Sequence, residues 1–346
     1  MFSRKVLVRR VQTAVPLALA AALFVYAITP WLPGSSAARP PRTIVLYGFS
    51  ILGECINRGV FPEFQREWRE RTGQRVELVS AFAGSGTITN QILLGVPAHV
   101  ALLSLELDAM KLADGGVVPP ASWRTLPNGG VVNRTPFVIL VRPGNPKGIR
   151  DFRDLGKPGV RVVHPDPLTS GGANWAILAE YGSGFRRTNG GGAQAGFEVL
   201  RGVWRNVVAQ AASARAARTQ YENGFGDALI TYEQEAIFDR GRGKLQSDIV
   251  YPPSTIFSEH TLVRIDRNVS RADRALVDAF VRFLWSDRAQ AAFSRYGFRS
   301  VNEERNAGFA RIEDGFRISD FGGWKRAKKE IIDGVWKARV LKELGK

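Results

Sequence analysis

Cysteine and histidine are scarce in this chain, and their scarcity narrows the chemistry before any motif is read. Among 346 residues Cys55 is the sole cysteine, so no internal disulfide can form and its thiol reads as a small buried apolar group. The three histidines, His99, His164 and His260, lie far apart without metal-ligand spacing, so neither a metal nor another cofactor is expected. Past Thr29 no run of about 18 uncharged apolar residues occurs, so the body of the chain reads as soluble. Runs of basic residues are also missing. The net charge is +16, but the arginines are scattered, often beside acids, with no stretch of bases interleaved with aromatics. That pattern reads as a solvated basic surface and not as a nucleic-acid site, although a broad positive field helps to capture a small anion.

Catalytic motifs fail residue by residue. A nucleophile elbow needs glycine two residues before its serine, where Ser85 has Ala83 and Ser170 has Leu168. Gly241-Arg242-Gly243-Lys244 is followed by Leu245, which rules out a P-loop. No pair of carboxylates or histidine-acid spacing stands out, so the chain is read as a non-enzyme.

What is present is 45% hydrophobic content over a length that favours two packed lobes. Arg4, Lys5, Arg9 and Arg10 precede the uncharged run Val11 to Thr29, and Ser36-Ala37-Ala38 offers a small-residue cleavage site before Arg39. Residues 1–42 therefore read as a secretory signal or an uncleaved membrane anchor, either of which places the body in the periplasm or otherwise outside the cytoplasm.

Beyond that segment strands and helices alternate. A strand from Arg42 to Tyr47 precedes a helix from Phe61 to Thr72, whose Phe61, Phe64 and Trp68 share one face, and a strand from Arg75 to Ser80 follows. The same order recurs through Val100–Leu105, Phe137–Arg142, Val160–His164 and Asp227–Tyr232, the pattern of an α/β protein with mostly parallel sheets and helices on their faces. An alanine-rich helix is expected over Ala211–Glu222, and the C-terminal third is helical, with Ser270 capping Arg271–Trp285 and a last helix over Trp324–Leu341.

Neutral donors recur where strands meet helices. His164-Pro165-Asp166-Pro167-Leu168-Thr169-Ser170-Gly171-Gly172 ends a strand and opens a helix on two glycines, which suits a negative oxygen at unpaired N–H groups. Ser50, Ser85 within Gly84-Ser85-Gly86, and Tyr232 before Glu233 occupy similar junctions. In open α/β sheets ligands bind outside the carboxyl ends of strands, so these donors fit one site.

At these residues the chain resembles the sulfate-binding proteins of bacterial ABC importers, two-lobed periplasmic binding proteins of the second topological type. The resemblance runs from about Ile44 to Lys328. It is carried by Gly84-Ser85-Gly86, Val141-Arg142-Pro143-Gly144-Asn145-Pro146-Lys147, Thr169-Ser170-Gly171-Gly172-Ala173-Asn174-Trp175, Gly226-Asp227-Ala228-Leu229-Ile230 and Phe321-Gly322-Gly323-Trp324. It implies two lobes, one of residues 43–135 plus 255–346 and the other of residues 136–254. It further implies sulfate held between them by hydroxyls matching Ser85 and Ser170 and by N–H groups matching Gly171, Gly172 and Ala214. Two positions depart from the family pattern: Ser50 stands where an aspartate usually lends its N–H, and Tyr232 where a tryptophan indole usually donates. The implied partner is an ABC permease in the membrane, the implied receptor a monomer. A donor-only site suits sulfate, because a protonated phosphate would leave its O–H unpaired. Thiosulfate, molybdate and tungstate remain open, as do an anchored oxyanion sensor and, less favoured, a hydrolase of phosphate or sulfate esters.

Overall fold

The computed structural model describes Ala21, Phe24, Val25 and residues 41–346 apart from Thr188. The export segment expected over residues 1–42 therefore lies almost wholly outside the described residues. Among the described residues no helix is long and apolar enough to cross a membrane.

Residues 42–346 form two α/β lobes. In the first, β1 (Arg42–Phe49) lies between β2 (Val76–Ala83) and β3 (Val100–Leu103), parallel to both. Antiparallel to β3 runs β9 (Ser254–Arg264), which also pairs with β4 (Val131–Val141). The second lobe has β7 (Ala228–Tyr232) antiparallel to β4, then β5 (Val162–Pro165) and β6 (Val207–Ala211) in parallel. The fold is thus the expected two-lobed arrangement of mixed, mostly parallel sheets.

Strand β4 is shared. Its Val131–Pro136 part pairs with β9, whereas Phe137–Val141 pairs with β7, so the chain changes sheet within one strand. Its run Phe137–Val141 is buried throughout, as a strand covered on both faces requires. Strand β9 divides likewise, Phe257–Arg264 in the first lobe and Ser254–Ile256 paired with β11 (Asp314–Phe316). These two adjacent strands carry the chain between the lobes, the place for a hinge.

Helix α1 (Phe61–Thr72) buries Phe61, Phe64 and Trp68 as its spacing predicts, and Gly73 ends it at a φ of 70°. Phe64 meets Phe280 of α8 (Arg274–Phe283) edge to face at 5.1 Å, closing the first core. Helix α8 starts later than its cap signal suggests: Ser270 and Asp273 bond each other in a preceding turn, which leaves Arg274 as the first helical residue. The last segment, Lys328–Leu341, coils with wide i to i+5 turns and packs on the second lobe. Trp336 lies 4.9 Å from Trp204 of α5 (Ala193–Arg205), and Lys346 donates to the Trp204 carbonyl at 2.7 Å.

A buried polar layer fills the hinge. His260 contacts Asn133 through Nδ1 and Ser258 through Nε2, while the Ser258 hydroxyl donates to the Thr135 carbonyl at 2.7 Å. The ring packs 4.4 Å from Phe49, the residue before Ser50, and 5.8 Å from Tyr232, itself a sequence-predicted site position. Burial pulls the His260 pKa down to about 3, so the folded protein keeps it neutral where an unfolded chain, at about 6.5, would take a proton. A depressed histidine stabilises the fold above its unfolded pKa, and that contribution is lost as pH falls through the window between the two values. Its full loss near pH 3 is on the order of 5 kcal/mol. Asp108, Glu180 and Glu233, all raised by burial, act in the opposite sense, so the effect is read from a difference. Denaturant titrations from neutral to acid pH should lose about 1.4 kcal/mol per pH unit more in the wild type than in His260→Gln. Parallel curves would remove His260 as the cause.

Candidate functional site

Every sequence-predicted donor lies at or just beyond the carboxyl end of a strand, and the two lobes turn these ends toward each other. From the first lobe, β1 leads into the turn Ser50–Leu52, β2 into Ser85 at the start of α2 (Ser85–Leu93), and β3 into Ser104. The second lobe contributes β5, leading to Ser170 and α4 (Gly171–Phe185), β6, leading to α6 (Ala214–Glu222), and β7, ending at Tyr232. First-turn N–H groups of a helix have no intrahelical acceptor, so Ser85, Gly171, Gly172 and Ala214 each bring one. Partial positive charge at three helix starts then favours an anion.

The lobes touch at a glycine seam. Gly86 donates its N–H to the Thr169 carbonyl across the cleft at 3.1 Å. A Cβ on Gly84 would lie 2.4 Å from that carbonyl oxygen and 2.5 Å from the Ala212 carbonyl oxygen, so only glycine permits this approach. The same holds within the cradle. A Cβ on Gly171 would meet Leu105 Cδ2 at 2.2 Å and Ser104 Oγ at 2.8 Å, and one on Gly172 would meet the Tyr232 hydroxyl at 2.9 Å.

Where the protons point refines the expected roles. The Ser85 hydroxyl, expected as a ligand, instead donates to Asp108 Oδ2 at 2.6 Å and accepts from the Ser104 N–H at 3.0 Å. Ser85 therefore offers the cleft its backbone N–H. The Ser170 hydroxyl makes no capping bond to its own helix, which leaves it available. Tyr232 is fully buried with its hydroxyl 2.8 Å from Ser104 Oγ, and burial raises its pKa, so the phenol stays protonated.

Two residues at this centre escaped the sequence reading. Ser104 faces Tyr232 and Gly171, and its carbonyl accepts the Trp175 indole N–H at 2.7 Å. Asp108, 2% exposed, orients the Ser85 hydroxyl from α3 (Glu106–Asp114). Burial raises its pKa, against the hydrogen bond from Ser85 and the Lys111 ammonium 3.6 Å away. Ser104 ends a strand like the other donors. Asp108 is an acid within the apolar stripe Leu105, Ala109, Leu112, the usual sign of a buried, partnered carboxylate.

On the opposite wall Ser213, not Ala211, opens α6: its hydroxyl accepts from the Ala216 N–H at 3.1 Å, which leaves Ala214 as the first helical residue. The Ser50–Leu52 turn packs against this helix, and Phe49 lies 6.1 Å from Tyr232. Arg215 bridges the lobes, bidentate to Glu54 at 2.9 and 3.1 Å and bonded to buried Glu235 at 2.9 Å. Against the desolvation of burial, Arg215 holds the Glu54 carboxyl below its ordinary value. The seven predicted positions thus fall in one neighbourhood, with the Ser85 hydroxyl committed to Asp108 and the Tyr232 hydroxyl to Ser104. A cavity of about 610 Å³ adjoins it, walled by Gly86, Leu105, Ser170, Gly171 and Trp336 among others but not by Ser50, Ala214 or Tyr232. It reaches the Ser170–Gly171 part of the cradle and not the whole donor cluster. Among the described residues no group of three or more His, Cys, Asp or Glu is placed to hold a metal ion.

Comparison with known proteins gives the same architecture and orders of relatedness. The sulfate-binding protein of Synechococcus elongatus is 32% identical over 88% of this chain and 88% of its own length. The thiosulfate-binding protein of Pseudomonas aeruginosa is 33% identical over 79% of this chain and 84% of its own. The solved structure of the sulfate-binding protein SubI from Mycobacterium tuberculosis H37Rv superposes with a TM-score of 0.75 at 28% identity, covering 84% of this chain and 99% of that one. A model of the bacterial extracellular solute-binding proteins matches residues 57–299, the span that holds the hinge and all but one of the predicted donors, and the chain belongs to that family.

Proposed function

We propose that this protein is an extracytoplasmic receptor that captures sulfate, or thiosulfate, between its lobes and delivers it to an ABC permease in the membrane. The observation that carries this reading is the approach of the Ser85, Gly171 and Ala214 helix starts, drawn from both lobes, where Gly86 donates to the Thr169 carbonyl and Gly84 faces the Thr169 and Ala212 carbonyls, with the Ser170 hydroxyl not engaged in capping its own helix. Backbone N–H groups donate and cannot accept, so they favour an anion whose oxygens carry no proton. The sulfate- and thiosulfate-binding relatives support the same class of ligand.

The lobes, divided near residues 136 and 255, close about the hinge when the anion is bound, and Ser50, Ser85, Ser170, Gly171, Gly172, Ala214 and Tyr232 surround it. The closed pair of lobes is the form that the permease reads. Export by the N-terminal segment, a monomeric receptor and binding without chemistry on the anion complete the proposal. Titration calorimetry on anion-free protein tests it with sulfate, thiosulfate, molybdate and tungstate. Sulfate or thiosulfate should bind at micromolar concentration or tighter. Silence from both, or tighter binding of molybdate, overturns the assignment.

A further inference from the structure

The Ser104 and Tyr232 hydroxyls form a pair whose polarity can reverse. They lie 2.8 Å apart, each 1% exposed, and either oxygen can be the donor. Both abut the cradle, since Cβ atoms on Gly171 and Gly172 would fall 2.8 Å from Ser104 Oγ and 2.9 Å from the Tyr232 oxygen. Two hydroxyls carry two protons, of which one makes the mutual bond and one is left for a ligand. When Ser104 donates to Tyr232, the phenol proton turns to the ligand. When Tyr232 donates to Ser104, the phenol oxygen offers a lone pair while its own proton stays bonded, and the Ser104 proton is the one left for a bare oxygen of the ligand. A solitary buried hydroxyl that turned to accept would leave its proton unpaired, at about 1–3 kcal/mol. The Ser85 hydroxyl cannot play this part, being engaged with Asp108 and the Ser104 N–H.

From this pair we infer that the site also accepts singly protonated tetrahedral dianions, hydrogenphosphate and hydrogenarsenate. Their lone O–H donates to Tyr232, and their bare oxygens take the backbone N–H groups. The inference rests on the oxyanion-receptor reading and changes its selectivity. Hydrogenphosphate and sulfate share charge and shape and differ by one proton, so discrimination between them depends on whether an acceptor faces that proton. A site that left the O–H unpaired would reject phosphate by about 10⁴-fold or more.

Calorimetry at a mildly alkaline pH, where hydrogenphosphate predominates, separates the cases. Wild-type protein should bind phosphate and arsenate within about 100-fold of sulfate. Ser104→Ala keeps both backbone bonds of residue 104 and the Tyr232 hydroxyl, and it should weaken phosphate and arsenate at least about tenfold more than sulfate. Tyr232→Phe, which removes the accepting oxygen itself, should do the same, and thermal melts verify that both variants are folded. Phosphate silence beside clear sulfate heat, or equal weakening of all anions in the variants, overturns the inference alone. Silence from every oxyanion on folded wild-type protein removes the receptor reading and this inference with it.

Discussion

Gly84→Ala is expected to weaken sulfate binding by about 100-fold or more while hardly moving the melting temperature of the unliganded protein. The added methyl would sit 2.4 Å from the Thr169 carbonyl oxygen and 2.5 Å from that of Ala212, both backbone atoms of the opposite lobe. Neither oxygen can move aside without dragging its strand end, so the lobes stay apart. Gly84 itself has φ −56° and ψ 140°, which alanine adopts without strain, so each lobe folds as before. The apparent dissociation constant rises as the closed fraction falls, and a clash worth about 3 kcal/mol is about a hundredfold. Calorimetry with a thermal melt distinguishes the outcomes. Tight binding by Gly84→Ala would show that closure at this seam is not needed, whereas a collapsed melting temperature would point to a folding defect.

The second large effect is expected at the cradle. Ser170→Asp should abolish sulfate binding, by about 1,000-fold at least, and leave the fold intact or slightly stabilised. Aspartate is among the best N-cap residues, so its carboxylate can accept the first N–H groups of the Gly171–Phe185 helix. In doing so it occupies the donors meant for the ligand and sets a like charge beside it, where water is excluded and the effective dielectric is low. Ser170→Ala removes one charge-assisted hydrogen bond without adding charge and should weaken binding by about 10- to 100-fold. This order, aspartate far worse than alanine with stability reversed, is what a helix-start anion site requires. Equal affinities for the three proteins would take Ser170 out of the site.

Much of this was legible locally. Pro165-Asp166-Pro167 stops a strand and Ser170-Gly171-Gly172 starts a helix, signals that depend on neighbouring residues only, and the structure has β5 ending at Pro165 and the helix beginning at Gly171. The strand and helix order likewise led to the α/β class, and the chain length and the resemblance to two lobes. Less legible was Ser104, which sits in the run Val100-Ala101-Leu102-Leu103-Ser104-Leu105 with no glycine or proline to mark a strand end. The start of the Ala214–Glu222 helix was misplaced because alanine at 211 and 212 reads as helical, while β6 holds Ala211 through its pairing with Pro165. The C-terminal segment gave its apolar stripe but not its destination. Trp336 could as well have met a core in either lobe, and contact with Trp204 is a matter of three-dimensional closure.

The sequence by itself determined the elements and the chemical type of the site: strand ends, helix starts, glycines and neutral donors, all short-range properties of the chain. Only the tertiary structure decided which donors face the cleft. It turned the Ser85 hydroxyl to Asp108, left the Ser170 hydroxyl free and joined Ser104 to Tyr232, 128 residues apart in sequence. A hydroxyl carries one proton, and its direction is set by whichever acceptor folding brings within about 3 Å. That choice is a property of the assembled lobes and not of any segment of the chain.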